Sequence, residues 1–246
     1  MHQIIEALPA ENLVYLGDTG RYPYGSKSPE TVTRYSLENA AFLVDKGIKL
    51  LVVACNAASS VALGALKAEC PVPVVGVIDP GAKAAVARTR NGRLGVIGTE
   101  VTIASGAYTR SLKRLRSDLE IYTRACPLFV PLAEEGWTDN EVAKATVARY
   151  LGSLQKSGID TLILGCTHYP LLKAVIGEFL GGSVALVDSA EETAREVREV
   201  LKAAGLLRRR GRGGSSFFVT DVPDRFVKVG RRFLGERVES AVRIER

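Results

Sequence analysis

Apolar, β-branched runs alternate with stretches of helical period from one end of the chain to the other. NLVYLGD, IKLLVVAC, VPVVGVI, RLGVIGT, LEIYTRACP, IDTLILGC, VALVDS and SSFFVTD are the eight predicted strands. Between them, SPETVTRYSLENAAFLVDKG is a predicted helix, with Ser28 as N-cap, Pro29 in the first turn and Gly47 past the end. NAASSVALGALKAEC, EVTIASGAYTRSLKRL and THYPLLKAVIGEFLG each read as one helix. So does TDNEVAKATVARYLGSLQKSG, capped by Thr138 or Asp139. DPGAKAAVART, AEETAREVREVLKAAG and PDRFVKVGRRFLG complete the helices. Strands alternating with helices imply an α/β fold with mostly parallel sheets. A break at Arg90-Asn91-Gly92, with a restart at GVIGT, divides it into two units.

Composition narrows the class. The 246 residues are 46% hydrophobic and 24% charged, so the chain has a core of ordinary size. Charged or polar residues interrupt every apolar run before it reaches membrane-helix length. The start, MHQIIEALPAEN, carries neither a basic lead nor a signal-peptide core, which reads as a soluble cytoplasmic protein. Much of the net charge of +6 sits in LLRRRGRGG, Leu206–Gly214, read as a solvated, flexible linker. With no aromatic interleaving and no nucleic-acid motif, it speaks against a nucleic-acid partner. Four cysteines without a CxxC pair, and only two histidines, do not make a zinc site. No P-loop or GxGxxG is present, so no cofactor is implied.

Two cysteines stand out by position. Cys55 and Cys166 each follow an apolar strand and precede a predicted helix, and each is followed by a hydrogen-bonding residue, Asn56 or Thr167. In open parallel sheets that is where ligands bind. A helix N-terminus there would stabilise a thiolate, and a modest drop from a thiol pKa of about 8.5 yields a general base near neutrality. Either cysteine alone reads as a small buried hydrophobe, as Cys70 and Cys126 do. Two at equivalent positions suggest a thiol pair across a cleft. Such a pair suits inversion at carbon, one thiolate removing a proton from one face while the other thiol delivers one to the opposite face. His168, two residues beyond Cys166, is either an ordinary histidine or a proton donor at that corner.

Together, GDTGRYPYGSKS, ACNAAS, ACPLFVPLAEEG and GCTHYP resemble the glutamate racemases, of the aspartate/glutamate racemase superfamily, in order over nearly the whole chain. The resemblance implies two similar α/β domains, residues 1–92 with 189–246 and residues 93–188, around an active site in the cleft between them. It implies cofactor-independent interconversion of L- and D-glutamate for peptidoglycan. Cys55 and Cys166 would be the acid/base thiols, and Asp18, His168 and Glu134 would assist them. Tyr24, Gly25, Asn56, Ala57 and Thr167 would hold glutamate. Family members form homodimers in more than one arrangement, and no apolar surface stripe here selects one. Without the resemblance, Asp18 is a strand-end carboxylate capping its own turn and Glu134 a helix-start acid.

This chain departs from the family pattern twice. Family members carry an early strand with a pattern like FDSGVGG, whereas MHQIIEALP resembles the helix after it. Without that strand and its Asp-Ser pair, an exposed sheet edge and an incomplete Cys55 corner are expected. Ala57 stands where the family has threonine, so weaker substrate binding is expected. Two other readings stay open: a racemase of aspartate or a related acidic amino acid, and a non-catalytic binding protein of the same fold.

Overall fold

The structure, a computed structural model, describes residues 1–245. After helix α1 (His2–Ala7), the chain runs β1 (Leu13–Gly17), α2 (Pro29–Asp45), β2 (Leu51–Val53), α3 (Asn56–Val61), α4 (Leu63–Glu69) and β3 (Val74–Gly76). There follow α5 (Ile78–Arg88), β4 (Arg93–Gly98), α6 (Glu100–Ala104), α7 (Ala107–Leu115), β5 (Glu120–Ala125), α8 (Phe129–Glu135) and α9 (Glu141–Lys156). The last elements are β6 (Thr161–Gly165), α10 (Lys173–Leu180), β7 (Ala185–Val187), α11 (Ala190–Ala203), β8 (Ser215–Val219), α12 (Pro223–Leu234) and the two-residue β9 (Val242–Arg243).

All strand pairs among the described residues are parallel. The order β5-β4-β6-β7 forms one four-stranded sheet, with every residue of β6 buried. Successive side chains go to opposite faces. Leu162 and Leu164 therefore join Ile97 in a core with Phe129, Val147, Leu151 and Ile176, from α8, α9 and α10. Ile163, with Leu94 and Val96, meets Ile78, Ala82 and Ala85 of α5 and Tyr108 and Leu112 of α7. Helices on both faces are what a near-continuous apolar strand requires.

The remaining strands form two separate sheets, β1-β8-β9 and β2-β3. Leu51 N–H bonds the carbonyl of Pro73, the residue just before β3. In a parallel ladder the next residue, Val52, then turns its N–H and carbonyl to the other edge, where no strand of the described residues lies. The expected open sheet edge is therefore present, and it lies beside the Cys55 strand.

Several expectations need correction. α5 lies before the expected boundary at residue 92, yet it buries its apolar face on β4 and β6, so it shares the second core. The helix expected from Asn56 to Cys70 divides at Ala62, where Ser60 Oγ bonds back to the Ala57 carbonyl and competes with the helical ladder. The helix expected from Glu100 divides at Gly106, which is left-handed at φ 64°, and Ser105 Oγ accepts from Ala107 N–H to start α7 afresh. Asn140, rather than Thr138 or Asp139, caps α9 by accepting from Ala143 N–H at 2.9 Å. After Cys166 the chain makes only a short 3₁₀ turn, Tyr169–Leu172, before α10. The Arg-rich stretch is tethered, with Arg208 N–H on the Glu11 carboxylate and Gly213 N–H on the Pro9 carbonyl.

Candidate active site

β2 and β6 deliver Cys55 and Cys166 to the carboxyl ends of their sheets. Cys55 is the N-cap residue of α3, and its carbonyl accepts the first helical bond, from Ser59 N–H. Burial raises the pKa of Cys55, hydrogen bonds from the backbone N–H groups of Ala58 and Ala57 only partly offset this, and a negative charge on Cys166 adds to the rise. The Cys55 thiol is pushed up to about 11, against the expected downward shift. Desolvation outweighs the helix N-terminus here.

The Cys166 corner is built differently. It lies seven residues ahead of α10, and a 3₁₀ turn, Tyr169–Leu172, rather than an α-helix follows it. Its polar partner is His168, with Nδ1 3.8 Å from Sγ. Tyr169, fully buried, pins the turn by donating to the Cys126 carbonyl at 2.8 Å. His168 Nε2 is 3.3 Å from Glu134 Oε1. Burial alone would make His168 harder to protonate. Hydrogen bonds to Cys166 and Glu134, and the charges of both, prevail and raise it to about 9. The hydrogen bond from His168 holds the Glu134 carboxyl below its ordinary value, against a desolvation that opposes it. At neutral pH this is an imidazolium–carboxylate pair beside the Cys166 sulfur. Thr167 Oγ1 lies 3.3 Å from the same His168 Nδ1.

Glu134 belongs to the last turn of α8, not to a helix start. Sequence-remote groups hold it there. Arg225 of α12 approaches its Oε2 at 3.4 Å. Arg232 donates to the Ala133 carbonyl at 3.3 Å and to the Glu134 and Glu135 carbonyls, capping the end of α8. Phe233 sets its ring edge-on to His168, 5.8 Å between centroids, and Tyr22 stacks on the imidazole at 6.1 Å. None of these four was legible as a site residue. Tyr22 alone carried a local signal, being inside GRYPYG.

The hydrogen bonds of Asp18 among the described residues go to partners other than Cys55. Its carboxylate accepts from Arg21 Nε at 2.8 Å, Thr220 Oγ1 at 3.0 Å, Asn39 Nδ2 at 3.3 Å and the Tyr24 hydroxyl. Burial of Asp18 favours the protonated acid, but bonds from Arg21, Tyr24 and Thr220 win and keep it ionised. It ties the loop after β1 to the end of β8. That tie sets the Tyr24-Gly25 turn, whose Gly25 carbonyl accepts from Val101 N–H at 3.1 Å. A Cβ on Gly25 would come within 2.6 Å of the Thr99 side chain. Thr99 and Thr102, buried and hydrogen-bonded at 3.0 Å, thus face this turn, and sequence reasoning missed both. Asn56 is buried, its Oδ1 accepting from the Tyr108 hydroxyl at 2.7 Å, and Ala57 is buried beside it. Among the described residues, no cluster of His, Cys, Asp and Glu could hold a metal, and no helix is long and apolar enough to cross a membrane.

This geometry can be set against known proteins. The Asp/Glu/hydantoin racemase family matches residues 1–197. A glutamate racemase from Geobacter metallireducens is 62% identical over 239 residues, 97% of this chain and 88% of that protein. The chain belongs to the glutamate racemase family. Glutamate racemases also share its fold. One from Bacillus anthracis superimposes with a TM-score of 0.95 at 40% identity, covering 99% of this chain and 91% of the other. Another, from Francisella tularensis and solved in complex with D-glutamate, gives 0.92 at 32% identity over 99% and 91%. As a glutamate racemase the chain is an isomerase of an amino acid, acting on a small molecule.

Proposed function

We propose that this glutamate racemase inverts glutamate with Cys55 and Cys166 as its two acid/base groups, and that the D-glutamate feeds peptidoglycan. The observation that carries the reading is the placement of two thiols at the carboxyl ends of parallel strands, one capping α3 and the other beside the His168–Glu134 pair. One thiolate takes the α-proton. The opposite thiol returns a proton to the other face, and the roles swap for the reverse reaction. His168, protonated on the Glu134 carboxylate, supplies and recovers the proton of Cys166. Asn56, Ala57, Thr167 and the Tyr24-Gly25 turn hold the amino acid, with backbone N–H groups and hydroxyls. Asp18 acts through the turn that it fixes, not on the Cys55 sulfur. The site lies between two α/β units, with α5 in the second. Function requires reduced thiols, which suits the cytoplasm.

Cys55, raised by burial in the protein alone, must lose its proton when substrate is bound. The substrate α-ammonium is the natural counter-charge. The test is α-deuterium exchange in D₂O with L- and D-glutamate, and with both aspartates. Exchange with both glutamates, reduced at least about 10²-fold in Cys55→Ser and in Cys166→Ser, is expected. Racemisation that survives either substitution, or exchange confined to aspartate, would sink the reading.

A further inference from the structure

Tyr108 joins the two thiol corners. It is the second residue of α7, and the left-handed Gly106 just before the helix sets the direction in which α7 begins. The ring is buried against two glycines. A Cβ on Gly165 would come within 3.1 Å of Tyr108 Cε2, and one on Gly81 within 3.1 Å of the Tyr108 hydroxyl. Gly165 is the residue before Cys166. The hydroxyl reaches across to Asn56, the residue after Cys55, at 2.7 Å. One side chain thus touches the immediate neighbour of each thiol.

The direction of that bond has a consequence. Burial, with Cys166 and Asp188 nearby, drives the Tyr108 phenol upward, so it keeps its proton, and that proton is given to Asn56 Oδ1. Asn56 therefore presents Oδ1 to Tyr108. Among the described residues Nδ2 has no hydrogen-bond partner, so on a residue only 4% exposed it is the end of the amide left to pair with a ligand. An Asn56 amide without this constraint could flip and offer an acceptor instead.

We propose that Tyr108 is a positioning residue for substrate binding, fixing the Asn56 amide so that Nδ2 donates into the cleft beside Cys55. The ligand group that suits this donor is the carboxylate of an amino acid. The inference rests on the racemase reading above. Because the ring packs on Gly165, the donor next to Cys55 is held in register with the Cys166 corner.

Tyr108→Phe removes the hydroxyl and keeps the ring. The expected result is a KM for L- and D-glutamate raised about tenfold, with kcat within about twofold and a melting temperature lowered by a few degrees at most, as the buried Asn56 Oδ1 loses its donor. Asn56→Ala should raise KM comparably or more, and the Tyr108→Phe/Asn56→Ala pair should add nothing to Asn56→Ala. Tyr108→Leu, which also loses the packing on Gly165, should lower kcat as well. Wild-type KM in Tyr108→Phe, or additive effects in the double variant, would overturn the proposal while leaving the racemase reading in place. Calorimetric titration of glutamate into the wild type separates the two. A wild type that neither exchanges the α-proton nor binds glutamate would overturn both.

Discussion

The two thiol corners sit on strands of opposite character. β6 is paired on both sides, by β4 and β7, and none of its residues is exposed. β2 is three residues long, is paired only by β3, and leads into an exposed Ala54 and a half-buried Cys55. The Cys166 corner has a charged pair beside its sulfur, His168 and Glu134, which we propose moves its proton. The Cys55 corner has backbone N–H groups and an amide, and the carboxylate nearest in sequence-based expectation, Asp18, is fully engaged elsewhere. A strand fixed from both sides can carry a rigid proton relay on the loop beyond it. A strand fixed from one side depends on what crosses to it from the other unit, and here that is the Tyr108–Asn56 bond.

If the relay belongs to Cys166 alone, breaking it should make the enzyme lopsided. Glu134→Gln keeps the shape of the side chain but removes the charge that sustains the imidazolium. We expect kcat to fall by about 10²-fold in the direction that needs Cys166 as acid, and clearly less in the other. Progress curves started from each enantiomer read this directly. Equal losses in both directions would erase the contrast between the corners.

Strand pairing offers a second, somewhat smaller contrast. Val52 N–H points away from β3 toward the edge that no strand covers. Ile163 lies inside a sheet paired on both sides and between two helical layers. Amide hydrogen exchange should be at least about 10²-fold faster at Val52, because its opening needs only a local fluctuation. Equal protection would mean that the β2 edge is closed in solution.

The same contrast explains what could be read from the sequence. β6 and its cysteine were legible because a strand buried on both faces leaves an apolar run, Leu162-Ile163-Leu164, that ends in a polar turn. The α/β alternation was legible for the same reason, as was the Ser28 cap, whose side chain accepts from Thr31 N–H. What escaped depends on partners far along the chain. Arg225 and Arg232 look like the charged face of an amphipathic helix until α8 is placed beside them. Tyr108 reads as an ordinary core position of α7, since nothing local says that its hydroxyl ends at Asn56. The sign of the Cys55 shift escaped because position gives the helix terminus but not the depth of burial. The break at Gly106 turned on one left-handed glycine inside an otherwise good helical period.

The charged pair should also mark the stability of the protein with pH. His168 rises from 6.5 to about 9 on folding, so the folded state binds its proton more tightly than the unfolded chain does. The stabilisation this gives is complete below about pH 6.5 and is lost as pH climbs through about 9. Glu134 works in the opposite sense, its depressed carboxyl stabilising the fold above its unfolded pKa of 4.5 and ceasing to do so as pH falls. The pair therefore supports the fold best between about pH 4.5 and 6.5. Both side chains are mostly buried, at 18% and 17% exposed, and their mutual coupling shares the benefit, so about 2 kcal/mol is expected from His168. Between pH 6 and pH 9.5 that corresponds to a fall in Tm of roughly 4–8 °C. His168→Asn should flatten this alkaline limb while Cys55→Ser leaves it in place, which would locate the pH dependence in one corner. A slope that survives His168→Asn would assign it to other groups and remove the electrostatic half of the comparison.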